Sequence, residues 1–105
     1  MILIIDNHSK NVPLIENILK KLGVRYIIKD QKTSFRELEK NTYEGIIFSG
    51  GVPYLDEMID FNEIKADIAC LINYDVPVLG ICVGHEIIGD ACGADIAKHA
   101  TPEVY

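Results

Sequence analysis

Residues 76–84 read Val-Pro-Val-Leu-Gly-Ile-Cys-Val-Gly, an aliphatic stretch that runs directly into a cysteine flanked by glycines. The aliphatic part predicts a buried strand, and the residues from Val83 onward predict a helix. A Cys between small residues at such a junction is the thiol version of a nucleophile elbow. Glycine permits the sharp turn, and the free N–H groups of a helix N-terminus favour a thiolate. Cys82 is therefore the candidate nucleophile, and the alternative is an inert packing thiol.

Outward from this stretch, aliphatic runs alternate with helical patterns along the chain. Strands are predicted at Ile2–Ile5, Val24–Ile28, Gly45–Phe48 and Val76–Leu79, with a fifth beginning at Gly93. Helices are predicted at Asn11–Leu22, Ser34–Lys40, within Asp56–Asn73, and from Val83 to about Ala91. This alternation predicts an α/β fold in one domain, residues 1–105, with a mainly parallel sheet between two layers of helices. The second strand is mixed in polarity, which favours a place near an edge.

The helical patterns also predict caps and buried faces. Pro13 fits the first turn of the first helix, and Gly23 fits the position just after its end. Ser34 and Glu37 have the spacing of a capping box. Helical spacing alone also predicts the apolar faces of two helices. The apolar face of the first helix is predicted to hold Val12, Ile15, Ile18, Leu19 and Leu22, and that of the third Phe61, Ile64, Ile68, Leu71 and Ile72. The acidic residues of the third segment predict a solvated face: Glu57, Asp60, Glu63 and Asp67.

Composition excludes several classes of function. The net charge is −6 and no basic cluster is present, which argues against a nucleic-acid partner. No stretch approaches the ~20 apolar residues of a membrane span, and the N-terminus reads as a strand rather than a signal peptide. Three cysteines without a framework spacing fit a reducing cytoplasm. No CxxC or HxxxH spacing is present, so we expect no metal and no cofactor.

The segments richest in glycine and polar residues follow the predicted strands. They are 6–9, 49–53 and 80–84, and the carboxyl ends of parallel strands meet at one edge, where ligands bind. Ser49-Gly50-Gly51 is predicted to be an oxyanion loop, with the N–H of Val83 as a second donor; the alternative is an ordinary turn.

The remaining thiols and imidazoles receive lesser roles. Cys70 and Cys92 are interpreted as packing residues. His85 is interpreted as a structural neighbour of the elbow and His8 as a solvated loop residue, while His99 has no assigned role.

With these motifs in place, the chain resembles the N-terminal half of the class I (triad-type) glutamine amidotransferases. It is most similar to the stand-alone glutaminase subunits of archaeal-type GMP synthases. The resemblance implies a three-layer fold with flavodoxin-like strand order. It also implies that Cys82 attacks glutamine, that Gly51 and Val83 supply oxyanion N–H groups, and that Gly50, Gly84 and Glu86 line the substrate site. Its partner would be an ATP-dependent synthetase subunit that receives the ammonia.

Three features depart from the family's pattern. Glu86 stands where the family has a Gln that holds the substrate amide, and Val52 interrupts the family's Ser-Gly-Gly-Pro run. The family's catalytic His and Glu come in a late His-Pro-Glu run. The segment His99–Glu103 holds these residue types at the wrong spacing. We therefore expect an impaired glutaminase, and either self-association or truncation of a longer gene product.

Two other interpretations stay open. One is a non-catalytic module of the same family that docks on a synthetase or on itself, which Glu86 favours. The other is a cysteine hydrolase or chaperone that also carries an elbow cysteine. In that group the residues at the elbow have a Cys-His-Gly order, whereas this chain has Cys82-Val-Gly-His85. Release of glutamate from glutamine distinguishes the glutaminase from both.

Overall fold

The computed structural model describes residues 1–51 and 64–81 together with Ile88. Strands and helices alternate along them: β1 Ile2–Asp6, α1 Val12–Lys21, β2 Tyr26–Asp30, α2 Phe35–Leu38, β3 Gly45–Phe48, α3 Lys65–Asn73 and β4 Val78–Gly80. The predicted fifth strand and, apart from Ile88, the predicted fourth helix lie outside the described residues.

The four strands form one parallel sheet in the order β2-β1-β3-β4. β1 pairs with β2 from Ile2↔Tyr26 to Asp6↔Asp30, and with β3 from Ile2↔Gly45 to Ile5↔Phe48. β3 in turn pairs with β4. The prediction of a parallel α/β sheet is confirmed, and so is the place of β2 at one end of the described sheet. The order is that of flavodoxin-like folds.

Both faces of the central strand are covered. Leu3, Ile4 and Ile5 are completely buried although successive side chains point to opposite faces. Leu3 and Ile5 belong to the main core cluster, together with β3 and residues of α2 and α3. The chain crosses from β1 to β2 in one direction, and then from β2 past β1 to β3 and on to β4 in the other. Right-handed crossovers in opposite directions place α1 on the face opposite α2 and α3.

The end of α1 fixes the start of β2. Gly23 has φ +70°, and its N–H donates to the Lys20 carbonyl at 3.1 Å. The Val24 N–H donates to the Leu19 carbonyl at 2.9 Å, which completes a Schellman motif. The predicted stop at Gly23 is confirmed. Because the Val24 N–H terminates the helix, the strand begins at Tyr26 rather than at the predicted Val24.

The predicted apolar face of α1 is only partly right. Val12 and Leu19 are buried, but Ile18 is 58% and Leu22 69% exposed. Leu14, Ile18 and Leu22 recur every four residues and form a second apolar stripe on the solvent side. A helix with two such stripes can turn only one of them to the sheet, and periodicity alone does not say which.

The predicted faces of α3 also need correction. Asp67, predicted on a solvated face, is completely buried, and Ile72, predicted in the core, is 74% exposed. The buried residues of the helix are Ala66, Asp67 and Cys70. Cys70 belongs to the core cluster, which confirms its packing role, and burial raises the pKa of its thiol to about 12. Asp67 faces inward, where its Oδ2 accepts a hydrogen bond from the buried side-chain amide of Asn7 at 3.0 Å.

Two isoleucines provide a matched test of this corrected face. Ile64, immediately before α3, is completely buried, whereas Ile72 is exposed. We expect Ile64→Ala to lower the free energy of unfolding by roughly 3 kcal/mol through lost burial and a cavity. Ile72→Ala should change it by less than about 0.5 kcal/mol. Urea denaturation measures both, and equal losses would contradict this orientation of α3.

Candidate functional site

The carboxyl ends of β1, β3 and β4 meet at one edge of the sheet, as the sequence predicted. β1 ends at Asp6 and β3 at Phe48, and the two strands are paired in register. β4 ends at Gly80, opposite Phe48. The segments that follow β1 and β3, Asn7–Ser9 and Ser49–Gly51, therefore lie side by side.

Gly51 is in direct contact with the backbone after β1. Its φ is +121°, a conformation that side chains rarely adopt. An ideal Cβ built on it would lie 2.1 Å from the Asn7 carbonyl oxygen and 2.9 Å from the His8 carbonyl carbon. No side chain fits between atoms this close. The glycine is thus required both by its backbone angle and by the close approach of the two turns.

Asn7 holds the turn after β3 from two sides. Its backbone N–H donates to the Ser49 hydroxyl at 2.8 Å, and its side-chain Nδ2 donates to the Ser49 carbonyl at 3.0 Å. The Ser49 hydroxyl donates in turn to the Gly50 carbonyl at 2.9 Å. All three residues are buried. The Ser49–Gly51 turn is therefore fixed by hydrogen bonds as well as by packing.

Two further buried side chains complete this cluster. Asn7 Nδ2 also donates to Asp67 Oδ2 at 3.0 Å, and Gln31 Nε2 donates to Asn7 Oδ1 at 3.1 Å. The Gln31 carbonyl accepts from the Ala66 N–H at 2.9 Å, which ties the start of α3 to the end of β2. We call Asn7, Gln31, Ser49 and Asp67 the Asn7 network; none of them is more than 2% exposed.

Asp67 is the titratable member of the Asn7 network. Desolvation raises its carboxyl pKa to about 7, against the opposing effect of the Asn7 hydrogen bond. The negative charge of Asp30 also raises it. Among the described residues, its Oδ1 has no hydrogen-bond partner. A buried carboxyl with one unpaired oxygen favours the neutral form, so Asp67 changes charge near neutral pH.

His8 takes part in a separate, exposed contact. Its φ is +68°, and its N–H donates to Asp6 Oδ1 at 2.7 Å. Its ring Nε2 lies 2.9 Å from Asp30 Oδ1, with each side chain about half exposed. The Lys32 N–H and then His8 hold the pKa of Asp30 below its usual value. His8 is thus the solvated loop residue that the sequence predicted, engaged at the end of β2.

The predicted site residues fall into two groups. Gly50 and Gly51 are described and lie at the sheet edge. Four others lie outside the described residues: Cys82, Val83, Gly84 and Glu86. Ile81 is the last described residue before them, and its N–H donates to the Phe48 carbonyl at 3.0 Å. Ile81 therefore lies beside Phe48, the residue that precedes Ser49.

Sequence reasoning missed three members of the Asn7 network. Asn7 stands out in the sequence only as part of a strand end, and Gln31 carries no local signal. Asp67 has one, because it stands in an apolar run of Ala66, Ile68, Ala69 and Cys70. The apolar neighbours of such a carboxylate indicate its burial better than its spacing from other acidic residues does.

Other kinds of site are not found in the described part of the chain. Residues 1–51 and 64–81 hold no group of three or more His, Cys, Asp or Glu side chains able to bind a metal ion. Within the same residues, no helix is both long and apolar enough to cross a bilayer. A shallow depression between Met1, Val24 and Glu44 lies at the opposite, amino-terminal edge of the sheet.

Comparison with known proteins shows which group this chain resembles. The sequence model of the family described as glutamine amidotransferase class-I matches residues 3–104. A GMP synthase (glutamine-hydrolyzing) subunit of Methanosphaera stadtmanae is 36% identical over 104 residues, which cover 99% of this chain and 52% of that protein. The corresponding protein of Methanocaldococcus jannaschii is also 36% identical, over 98% of this chain and 52% of that protein.

A solved structure agrees with the fold. A crystal structure described as that of a GMP synthase subunit from Thermoplasma acidophilum superposes with a TM-score of 0.68 at 27% identity. The match covers 88% of this chain and 44% of that chain. This chain therefore spans about half the length of the curated relatives that it matches.

Proposed function

Because this chain belongs to the glutamine amidotransferase class-I family, we propose that it carries the nucleophile half of a glutaminase site. Cys82 would attack the side-chain amide of glutamine, and ammonia would pass to an ATP-dependent synthetase subunit that makes GMP from XMP. The observation that carries the proposal is the sheet edge itself. The Gly51 turn is packed against Asn7 and His8, and Ile81, the residue before Cys82 in the sequence, is bonded to Phe48, the residue before Ser49.

The chemistry proceeds in two acyl-transfer steps. The Cys82 thiolate adds to the amide carbon, and the N–H groups of Gly51 and Val83 would stabilise the tetrahedral oxyanion. The nitrogen takes up a proton, the C–N bond breaks and ammonia departs. The acyl group remains on Cys82 as a γ-glutamyl thioester. Water adds to the thioester and releases glutamate and the thiol. The acid that protonates the nitrogen is worth roughly 10²–10⁴ in rate, so we expect slow turnover where it is not supplied.

The predicted substrate contacts and location extend the same proposal. Gly50 and Gly84 would border the glutamine side chain, and Glu86 would face its amide. The free, buried Cys70 and a reactive Cys82 fit a reducing compartment such as the cytoplasm.

An electrophilic glutamine analogue tests the proposal without requiring turnover. In a diazoketone analogue, the carbon that bears the diazo group takes up one proton, and the thiolate then displaces N₂ from it to form a thioether. We expect one thioether adduct per chain by intact-mass spectrometry, located on Cys82 and suppressed by excess glutamine. Cys82→Ala should abolish labelling, whereas the matched Cys70→Ser should retain it because Cys70 is buried.

The same experiment separates the alternative, a non-catalytic binding module or self-associating member of the family. Glu86 favours that alternative, because a carboxylate replaces the amide that the family uses to hold glutamine. Labelling that glutamine does not suppress, or that survives Cys82→Ala, overturns the glutaminase proposal. Light scattering of the unlabelled chain then reports whether it self-associates.

A further inference from the structure

The least expected group in the fold is a carboxyl buried behind the glycine turn. Asp67 is completely buried, and its Oδ1 has no partner among the described residues. Its Oδ2 accepts from Asn7, the residue that holds Ser49 at two atoms and touches Gly51. A buried carboxyl is costly, and a helix with apolar neighbours does not need one for packing.

We propose that Asp67 is a positioning residue that sets the conformation of the Ser49–Gly51 turn through the side-chain amide of Asn7. The Asn7 Nδ2 has two hydrogens, one bonded to the Ser49 carbonyl and one to Asp67 Oδ2. The carboxyl therefore orients the amide, and the amide orients the Ser49 peptide. Gly51 follows because its backbone is in contact with the Asn7 carbonyl. The link to catalysis rests on the proposed function; the link to the turn does not.

Protonation of Asp67 should make its link to the Ser49–Gly51 turn detectable. An ionised Asp67 accepts the Asn7 hydrogen bond more strongly than a neutral one. The turn should therefore respond when Asp67 titrates, which its raised pKa of about 7 places in an accessible range. In the described part of the chain, the groups coupled electrostatically to Asp67 are Asp30, at the end of β2, and Cys70, one turn along α3. The ring Nε2 of His8 lies 2.9 Å from Asp30 Oδ1, so His8 is the neighbour that a control must remove.

Nuclear magnetic resonance of the isotope-labelled 105-residue chain tests the proposal directly. We expect the Asp67 carboxyl carbon, the Asn7 side-chain NH₂ and the Gly51 backbone N–H to titrate with one shared midpoint near pH 7. Asp67→Asn keeps an oxygen that can accept from Asn7, so the turn should remain and the titration of Gly51 should disappear. Asp67→Leu removes the acceptor, and the Gly51 resonance should shift at every pH.

Two controls assign the response. His8→Asn removes the imidazole while tolerating the positive φ, and Asp30→Asn removes the exposed carboxylate. Both should leave the shared midpoint within about one pH unit. A Gly51 resonance that stays flat while Asp67 titrates in the unmodified chain overturns the proposal without any variant. So does a titration that vanishes in His8→Asn. Neither result depends on whether Cys82 hydrolyses glutamine, so failure of the glutaminase proposal is seen separately.

Discussion

Gly51→Ala is expected to lower the free energy of unfolding by more than about 4 kcal/mol, an unusually large loss for one methyl group. The positive φ alone costs a non-glycine residue roughly 1–3 kcal/mol. The new Cβ would lie 2.1 Å from the Asn7 carbonyl oxygen, so one of the two turns must move. Movement breaks the hydrogen bonds of the buried Asn7 network, and each orphaned group costs roughly 1–3 kcal/mol more.

Gly23→Ala is the matched control for this variant. Gly23 also has a positive φ, +70°, but nothing lies within 4 Å of its ideal Cβ. We therefore expect only the conformational cost, roughly 1–2 kcal/mol. Urea denaturation of both variants compares them on one scale. Equal losses would mean that the close approach of the two turns contributes nothing. A large difference assigns the extra loss to the contact with Asn7.

The fold was predictable where one physical signal dominates. Gly45–Phe48 is a short aliphatic run bounded by turn residues, and the structure has a strand with the same limits. Gly23 ends α1 because only glycine takes its φ without cost. The prediction failed where two signals compete, as on α1. There Leu14, Ile18 and Leu22 are as apolar as the buried stripe, and the sheet selects between them through contacts distant in sequence.

The site was predictable in its backbone but not in its polar support. Strand ends and glycines located the Ser49–Gly51 turn, because those features are local. Spacing places Asp67 in solvent, because a carboxyl is normally exposed and its partner Asn7 lies 60 residues away in the sequence. Whether a buried polar group finds a partner depends on tertiary structure. Such pairs are the part of a functional edge that pattern and spacing do not reveal.

The Asn7 network contains a buried carboxyl that costs folding free energy. Its hydrogen bonds join the segments after β1, β2 and β3 to α3, so the edge is assembled from distant parts of the chain. A buried carboxyl with one oxygen unpaired among the described residues lowers stability rather than raising it. Its presence at the centre of this edge is consistent with a role in the turn. That role has a measurable thermodynamic consequence.

Stability of the unmodified chain should fall as the pH rises from about 4.5 to about 8, because Asp67 must ionise inside the fold. The ordinary pKa of its carboxyl is 3.8, and in the folded protein the pKa is about 7. Between these values the unfolded chain loses the proton and the folded chain keeps it, so folding becomes less favourable with increasing pH. At about 1.36 kcal/mol per pKa unit, the loss over this range is roughly 3 kcal/mol, and it ends above about pH 8.

Asp67→Asn should remove this dependence, because the amide does not ionise. Asp30 and Glu44, whose carboxyl pKa values are lowered, act in the opposite direction, but both proteins share them. The difference between the two proteins in free energy of unfolding isolates Asp67. We expect it to change by roughly 3 kcal/mol in favour of Asp67→Asn between about pH 4.5 and about pH 8. A constant difference, measured by urea denaturation at each pH, would show that Asp67 ionises as readily in the folded chain as in the unfolded one, which would contradict a pKa raised by burial.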